Sequence, residues 1–225
     1  MSTSIHDQSA TALLIVDPYN DFMSEGGKLY DITKPQADSV GFYQNMRELI
    51  PAVRSAGIQV FIVPHHRTRS TDFVDWAAIN PTQQETKRKN CFADGAWGGQ
   101  FHPEFGPRDG DVVVLEHWAQ NGFANTDLDA QLKQHGIKKL IFVGFISNSC
   151  VEATARMGME LGYHVTLIKD ATGAFNPEGM VAARVNAKLF AHSELTTREL
   201  LAVLPATDGQ TSKAGLANYS SAVPV

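Results

Sequence analysis

Short, uninterrupted apolar runs recur along this chain, and helical patterns separate them. The runs cover residues 11–16, 58–63, 111–115, 139–143 and 164–168. Each run is too short for a buried helix and lacks the alternation of a half-buried strand. A short, continuous apolar run of this kind is typical of a strand that is buried on both faces. Such strands, each followed by a helix, form a parallel sheet through right-handed crossovers. The pattern therefore predicts an α/β fold: a doubly wound, mostly parallel, Rossmann-like sheet with helices on both faces.

The helical patterns carry recognisable start and stop signals. A long helix is predicted over residues 36–56, with Pro35 near its start and Gly57 at its end. Shorter helices are predicted over residues 81–89 and 177–190, each beginning at a proline. The sequence TDLD at residues 126–129 resembles a capping box and predicts a helix up to His135. A last strand and helix occupy residues 194–204, and the remainder of 64–110 is expected to be irregular.

A single domain accounts for most of the chain. A length of 225 residues with 43% hydrophobic content is enough to bury one core. We assign residues 1–10 to an N-terminal arm, residues 11–204 to the α/β domain and residues 205–225 to a small, polar C-terminal tail.

Charge and cysteine content argue against several classes of function. A net charge of −5 without any basic run argues against nucleic acid and anionic membrane partners. No apolar stretch is long enough to span a bilayer and the first ten residues are not signal-like, so a cytoplasmic location is expected. Cys91 and Cys150 are too few for a disulfide framework or a thiolate zinc site.

Cys150 lies where a strand gives way to a helical pattern. The positive end of a helix dipole lowers a thiol pKa, and its N–H groups can hold an oxyanion, so Cys150 is the candidate nucleophile. Asp17 directly follows the first strand, and the carboxyl ends of parallel strands meet at one edge. The alternatives are a small core cysteine and an Asp17 that forms a turn before Pro18.

Four segments together resemble the isochorismatase-like cysteine hydrolases, a group that includes nicotinamidases and N-carbamoylsarcosine amidases. They read LIVDPYNDF at 14–22, GFANTDLD at 122–129, GFISNSCVE at 144–152 and LGYHV at 161–165. The resemblance covers about residues 11–204. It implies a nucleophilic Cys150, an acid/base Asp17, and a cis peptide bond between Phe145 and Ile146 that turns the Ile146 N–H toward an oxyanion. It also implies a homo-oligomer, a dimer or tetramer, and no cofactor.

The chain departs from the family at a third position, a lysine at the end of the third strand. The strand reads DVVVLEHW at residues 111–118. Aligning the valines puts Leu115 at the lysine position, whereas a shorter loop would put Glu116 or His117 there. We favour Leu115, because strand register sets side-chain direction. Leucine offers neither charge nor donor, so Asp17 and Cys150 would not both ionise.

The expected function is a cysteine-dependent hydrolase that cleaves a C–N bond of a small amide or ureido compound through a thioester. With leucine at the lysine position, Asp17 works alone, or another group takes the role of the lysine, or the site is weakened or inactive. A leucine introduced by engineering is a further alternative. A weakened or inactive member acting as a small-molecule binder or interaction protein is the alternative. No GxGxxG, GxxxxGK[ST], GxSxG or HExxH motif supports another class.

Aromatic residues near the strand ends are candidates for the substrate pocket. Phe22 and Trp118 lie just beyond strand ends, and Trp97 belongs to a glycine-rich stretch, residues 92–105, that we interpret as a lid or substrate wall. His65 and His66 lack the aspartate and the spacing of the nicotinamidase zinc ligands. No metal site is therefore expected, and the two are interpreted as exposed loop histidines, with one of them lining the pocket as the alternative.

Overall fold

A computed structural model describes residues 8–205. Six strands form one sheet, and they are β1 Thr11–Val16, β2 Gln59–Val63, β3 Val112–Val113, β4 Lys139–Phe145, β5 His164–Gly173 and β6 Ser193–Leu195. Their order across the sheet is β3-β2-β1-β4-β5-β6, and every neighbouring pair is parallel. The predicted fold class is confirmed. The strand order reverses between β1 and β4, and ligands of such sheets bind beyond the carboxyl ends of the strands at that point.

Helices cover both faces of the sheet. They are α1 Asn20–Met23, α2 Tyr30–Val40, α3 Phe42–Ser55, α4 Pro81–Lys89, α5 Leu128–Gln134, α6 Glu152–Glu160, α7 Pro177–Phe190 and α8 Thr197–Val203. One apolar core joins the sheet to α2, α3 and α8, and the other joins it to α5, α6 and α7. β1 supplies both cores, because Leu13 and Ile15 point to one face and Leu14 and Val16 to the other.

The predicted long helix over residues 36–56 is wrong, because two helices occupy this region. Gly41 separates α2 from α3 with a φ of 71°, a left-handed conformation that glycine adopts without strain. Pro35 lies inside α2 rather than near a helix start. The helices predicted over residues 81–89 and 177–190 are confirmed with those bounds.

The capping box predicted at residues 126–129 is also wrong. Asp127 precedes α5 and its side chain makes no cap hydrogen bond. Its carboxylate instead accepts a 2.7 Å hydrogen bond from the backbone N–H of Leu115. The third strand is shorter than predicted, and β5 is longer, so Asp170 lies inside β5 and accepts hydrogen bonds from Thr197 at the start of α8.

The predicted arm and tail fall mostly outside the described residues. Residues 8–10 form a single 3₁₀ turn that leads into β1, and residues 1–7 and 206–225 are not described. Within residues 8–205, no helix is both long and apolar enough to cross a membrane.

Candidate active site

Asp17 lies at the point where β1 ends, beside the end of β2. Its backbone N–H donates a 3.0 Å hydrogen bond to the carbonyl of Val63, the last residue of β2. Its φ of 53° is left-handed, which is unusual for a residue other than glycine. The side chain is fully buried, so its carboxylate must find its partners inside the protein. The chain therefore fixes this carboxylate at the reversal of the strand order.

His117, not Leu115, is the partner of Asp17. The Nε2 of His117 lies 3.0 Å from Oδ1 of Asp17, and both side chains are fully buried. Leu115 is 61% exposed, so the alignment that placed it at the family lysine position is wrong. Parallel pairing continues past β3, because the backbone N–H of His117 donates to the Pro64 carbonyl and the backbones of His117 and His65 form a parallel bridge. The buried residues of this segment are Val114 and His117, which are three positions apart. Side chains here therefore do not alternate between the two faces with the period of two that a regular strand has.

Cys150 completes a buried cluster with these two residues. A carboxylate oxygen of Asp17, a ring nitrogen of His117 and the Sγ of Cys150 all lie within 4.8 Å of one another. Cys150 belongs to a wide helical turn, Ser147–Val151, between β4 and α6. The predicted meeting of Asp17 and Cys150 at one sheet edge agrees with this geometry, and His117 is the member that the sequence pattern did not favour.

The Cys150 thiol keeps its proton in the free protein at neutral pH. Burial raises the pKa of this thiol well above its usual range, and the charge of Asp17 raises it further. The Ser149 hydroxyl and the backbone N–H of Ile146 lower this pKa, but their effect is smaller. The expectation of a lowered thiol pKa at a helix start is therefore wrong, because Cys150 is buried in a turn and α6 begins only at Glu152.

Two polar atoms of the cluster have no hydrogen-bond partner. They are Oδ2 of Asp17 and Nδ1 of His117, and both are buried. A carboxylate oxygen can only accept, so the Nε2 of His117 carries the proton in the 3.0 Å contact with Asp17. The second oxygen of Asp17 is thus left as an acceptor that can take a proton or a cation.

The cluster adjoins a cavity of about 380 Å³. Cys150, Ile146 and Ser149, which follow the carboxyl end of β4, are among its lining residues. Its remaining lining residues come from α1, from α2 and the residue before it, from α4, and from the loops that follow β2, α4 and β3 and precede α7. They are Phe22, Leu29, Ile32, His65, Pro81, Thr82, Glu85, Thr86, Lys89, Cys91, Phe92, Ala119 and Phe175. Most of this surface is apolar, whereas Glu85 and Lys89 supply charge. A small, largely planar molecule with one polar end fits this lining.

His65 faces this cavity as a neutral imidazole. Burial lowers its pKa, and the neighbouring His117 lowers it further, to about 4. Its Nδ1 lies 2.8 Å from the His66 carbonyl, which can only accept, so Nδ1 carries the proton and Nε2 keeps its lone pair. His66 is also buried and contacts Asp72 and Glu116. The expectation of exposed loop histidines is wrong for both residues.

Comparison with known proteins agrees with this geometry. A sequence model of the isochorismatase domain matches residues 11–199. The chain belongs to the isochorismatase family. It is 34% identical over 184 residues to the ureidoacrylate amidohydrolase RutB of Pantoea ananatis, covering 75% of this chain and 71% of that relative. It is 30% identical to the enzyme of the same name from Agrobacterium fabrum, covering 79% and 82% of the two chains.

Solved structures of the isochorismatase family share the fold. A cysteine hydrolase from Pseudomonas syringae pv. phaseolicola superposes with a TM-score of 0.73 at 26% identity, covering 88% of this chain and 93% of its own. The N-carbamoylsarcosine amidase of Thermoplasma acidophilum superposes with a TM-score of 0.65 at 24% identity, covering 83% of this chain and 96% of its own. At this identity the similarity shows a shared fold and nothing more. The predicted family and the predicted enzyme class, a hydrolase, are confirmed.

The cis peptide bond that the family resemblance implies is present between Phe145 and Ile146. Ile146 follows β4 and lines the cavity beside Cys150. Its N–H lies close enough to the Cys150 thiol to lower the pKa of that thiol. This N–H and the Cys150 thiol therefore lie close together at the cavity.

Of the three aromatic residues predicted to contact substrate, Phe22 alone lines the cavity. Trp118 stacks on His66 with ring centroids 3.7 Å apart and lines a neighbouring surface pocket, while the next residue, Ala119, reaches the cavity. Trp97 is 48% exposed and its carbonyl accepts a hydrogen bond from Asn20. Neither tryptophan lines this cavity, so contact of Trp97 or Trp118 with substrate stays a prediction.

Sequence reasoning missed the wall that α4 and Cys91 contribute to the cavity. The helix itself was predicted, but nothing local indicates that it lines the same cavity as the Cys150 turn. Asp21 holds part of the same wall, since its Oδ2 accepts a 2.6 Å hydrogen bond from the backbone N–H of Phe92. Its Oδ1 accepts from the N–H of Lys28. Asp21 thus orients loops, and the start of the 92–105 stretch contributes a wall through Phe92.

Proposed function

We propose that this chain is a cysteine amidohydrolase that cleaves a C–N bond of a small ureido or related amide compound. The observation that carries the proposal is the buried cluster of Asp17, His117 and Cys150, of which Cys150 lines a cavity of about 380 Å³. The name shared by the sequence relatives, ureidoacrylate amidohydrolase, supports the ureido class. The cavity lining supports a small, planar acyl group.

The reaction begins with proton transfer from Cys150 to Asp17. Because the thiol pKa is raised in the free protein, the thiolate forms together with its attack on the substrate carbonyl. The N–H groups of Ile146 and Cys150 stabilise the resulting oxyanion. The leaving amine takes the proton from Asp17, and a thioester remains on Cys150. Water, deprotonated by Asp17, then attacks the acyl carbon and the C–S bond breaks. The acid or carbamate leaves, and the proton on Asp17 returns to the Cys150 thiolate.

His117 serves in place of the family lysine. Its Nε2–H donates to Asp17 Oδ1, which leaves Oδ2 as the acceptor for the thiol proton. A buried carboxylate without any donor would be strongly destabilised, so this contact also lets Asp17 stay in the protein interior. His117 therefore positions and partly compensates the catalytic carboxylate, and the chain does not depend on Asp17 alone.

A family member that binds small molecules without turnover is the second candidate. The raised pKa of Cys150 favours it, because a thiol that stays protonated is a weak nucleophile. The two candidates differ in whether Cys150 becomes acylated when a substrate is present.

The test is release of ammonia from a panel of ureido acids and primary amides, with intact-mass measurement of the protein during turnover. The wild-type chain is run beside Cys150→Ala and Asp17→Asn. Ammonia release and an acyl adduct on Cys150, both lost in Cys150→Ala, are the expected result. Binding of panel compounds by calorimetry, without ammonia or adduct from the wild type, would support the binder instead.

A further inference from the structure

We propose that Asp17, His117 and Cys150 form a binding site for a thiophilic divalent cation such as Zn²⁺, and that the bound ion switches off the cysteine chemistry. The inhibitory half of this proposal rests on the proposed amidohydrolase function, whereas the binding half rests on the cluster itself. The nicotinamidase zinc pattern concerns the region of His65 and His66, where it is incomplete, so Asp17, His117 and Cys150 are a different set of residues.

The cluster supplies the ligand types that zinc prefers. Carboxylate, imidazole and thiolate bind Zn²⁺ at about 2.0–2.3 Å, which places neighbouring ligand atoms of a tetrahedral site about 3.4 Å apart. The three candidate atoms lie within 4.8 Å of one another, and Nε2 of His117 is already 3.0 Å from Oδ1 of Asp17. Side-chain adjustments of about 1 Å therefore close the site around an ion.

The second observation is the unpartnered oxygen of Asp17. Its Oδ2 is buried and accepts no hydrogen bond from an N–H or O–H group, on a fully buried side chain whose neighbour is the Cys150 thiol. Buried carboxylate oxygens are almost always paired with a donor or a cation, so this atom has an unused ligand position. Cys150 lines the cavity, so an ion can enter from there and keep a fourth position open to water.

Charge and proton balance are also met. One carboxylate and one thiolate neutralise the two positive charges of the ion, and the imidazole binds as a neutral ligand. Binding releases the Cys150 proton to solvent, and the proton on Nε2 of His117 moves to Nδ1, which has no partner in the metal-free protein. No bond of the protein is broken and no redox partner is needed.

Histidine at residue 117 is what creates this site. The lysine that the family resemblance implies has a positive charge and no lone pair, so it repels a cation and cannot coordinate one. With His117, all three members of the cluster can act as ligands. The same substitution that preserves a donor for Asp17 therefore makes the nucleophile sensitive to metal ions, because a coordinated thiolate and carboxylate can neither attack nor accept a proton.

The test is titration of the full-length, metal-free chain with Co²⁺, whose thiolate complexes absorb in the near ultraviolet, and competition by Zn²⁺. The expected result is one ion per chain and a thiolate absorption band in the wild type. Cys150→Ser should lose the band, and His117→Lys should bind at least about 100-fold more weakly, since one of three protein ligands is replaced by a cation. Cys91→Ser should keep the band, because Cys91 is not part of the cluster.

Turnover provides the second readout. Zn²⁺ should inhibit any amide hydrolysis by the wild type, a chelator should restore it, and residual activity of His117→Lys should resist Zn²⁺. A wild-type chain that takes up no Co²⁺ or Zn²⁺, or equal uptake by wild type, Cys150→Ser and His117→Lys, would overturn this proposal and leave the amidohydrolase intact. Specific uptake without hydrolysis of any panel compound would sustain the binding site and count against the amidohydrolase.

Discussion

The imidazole of His117 donates to the carboxylate of Asp17 across 3.0 Å, and neither side chain is exposed to solvent. These two residues are a hundred positions apart in the chain. Parallel pairing of β1 with β2, and of β2 with the segment after β3, brings them together. Because Cys150 follows β4 on the other side of β1, the carboxylate lies between its donor and the thiol.

His117→Lys should keep measurable amidohydrolase activity, whereas His117→Leu should lower kcat by about 10²–10⁴-fold, the usual contribution of a positioned acid or base group. The reason is that lysine retains a donor for Asp17 and leucine leaves the carboxylate without one. Steady-state ammonia release at neutral pH measures both.

Leu115→Lys is the matched control, since it introduces the same side chain two residues away. Leu115 is exposed, so this variant should behave like the wild type. If Leu115→Lys changed kcat and the His117 variants did not, the identification of His117 as the partner of Asp17 would be wrong.

Asp17→Asn should make the Cys150 thiol easier to alkylate while it abolishes turnover. After burial, the charge of Asp17 is the next cause of the raised thiol pKa, so removing that charge shifts the pH profile of alkylation to lower pH. Iodoacetamide labelling followed by peptide mass spectrometry separates Cys150 from Cys91, whose pKa is raised to about 11. Slower labelling of Asp17→Asn at every pH would show instead that Asp17 already activates the thiolate in the free protein.

The strands and the two proline-started helices could be predicted because local signals determine them. The run at Thr11–Val16 is apolar throughout, and α4 and α7 each combine a proline at the first turn with an asparagine cap. Gly41 carries no comparable signal. A single glycine inside a long helical pattern is tolerated in many helices, so only the packed structure reveals that the chain turns there.

The site could be predicted only where it lies directly beyond regular strands. Asp17 and Cys150 follow β1 and the β4 turn, so the edge rule brings them together. His117 lies four residues past the short β3, where side-chain direction no longer follows the strand period. The cavity walls combine α4 with a turn some sixty residues later in the chain, and no local pattern encodes that arrangement.

Glu116→Gln should have a lower free energy of unfolding than the wild type at neutral pH. In acid, its free energy of unfolding should fall less steeply with pH than that of the wild type. Although burial alone would raise the pKa of Glu116, hydrogen bonds from His66 and Arg67 lower it to about 2. A carboxyl whose pKa is lowered in the folded state increases the free energy of unfolding. This increase is complete above the ordinary pKa near 4.5 and is lost as the pH falls through about 2. Since the side chain is 21% exposed, we expect about 1–3 kcal/mol.

Urea unfolding of wild type and Glu116→Gln between pH 5 and pH 2 measures this difference, and His66 stays protonated throughout that range because its pKa is raised. Glu160→Gln, an exposed carboxylate on α6, is the control and should follow the wild type. A constant stability gap between Glu116→Gln and wild type down to pH 2 would contradict the lowered pKa of Glu116.

Gly144→Ala should destabilise the protein far more than Gly162→Ala, although both glycines have positive φ, 111° and 92°. A Cβ at Gly144 would lie 2.2 Å from the backbone oxygen of Val16, whereas a Cβ at Gly162 meets nothing within 4 Å. Gly162→Ala therefore has only the backbone penalty of about 1 kcal/mol. Gly144→Ala must also push β4 away from β1, so its free energy of unfolding should fall by more than about 3 kcal/mol.

The same push acts on the residue before Asp17, so Gly144→Ala should lose amidohydrolase activity even where it still folds. Thermal unfolding and ammonia release on both variants test the two consequences separately, and Gly162→Ala should keep wild-type activity. Equal stabilities for the two variants would mean that β1 and β4 do not approach as closely as described. The placement of Asp17 beside Cys150 would then need another explanation, because that close approach is what brings the ends of the two strands together.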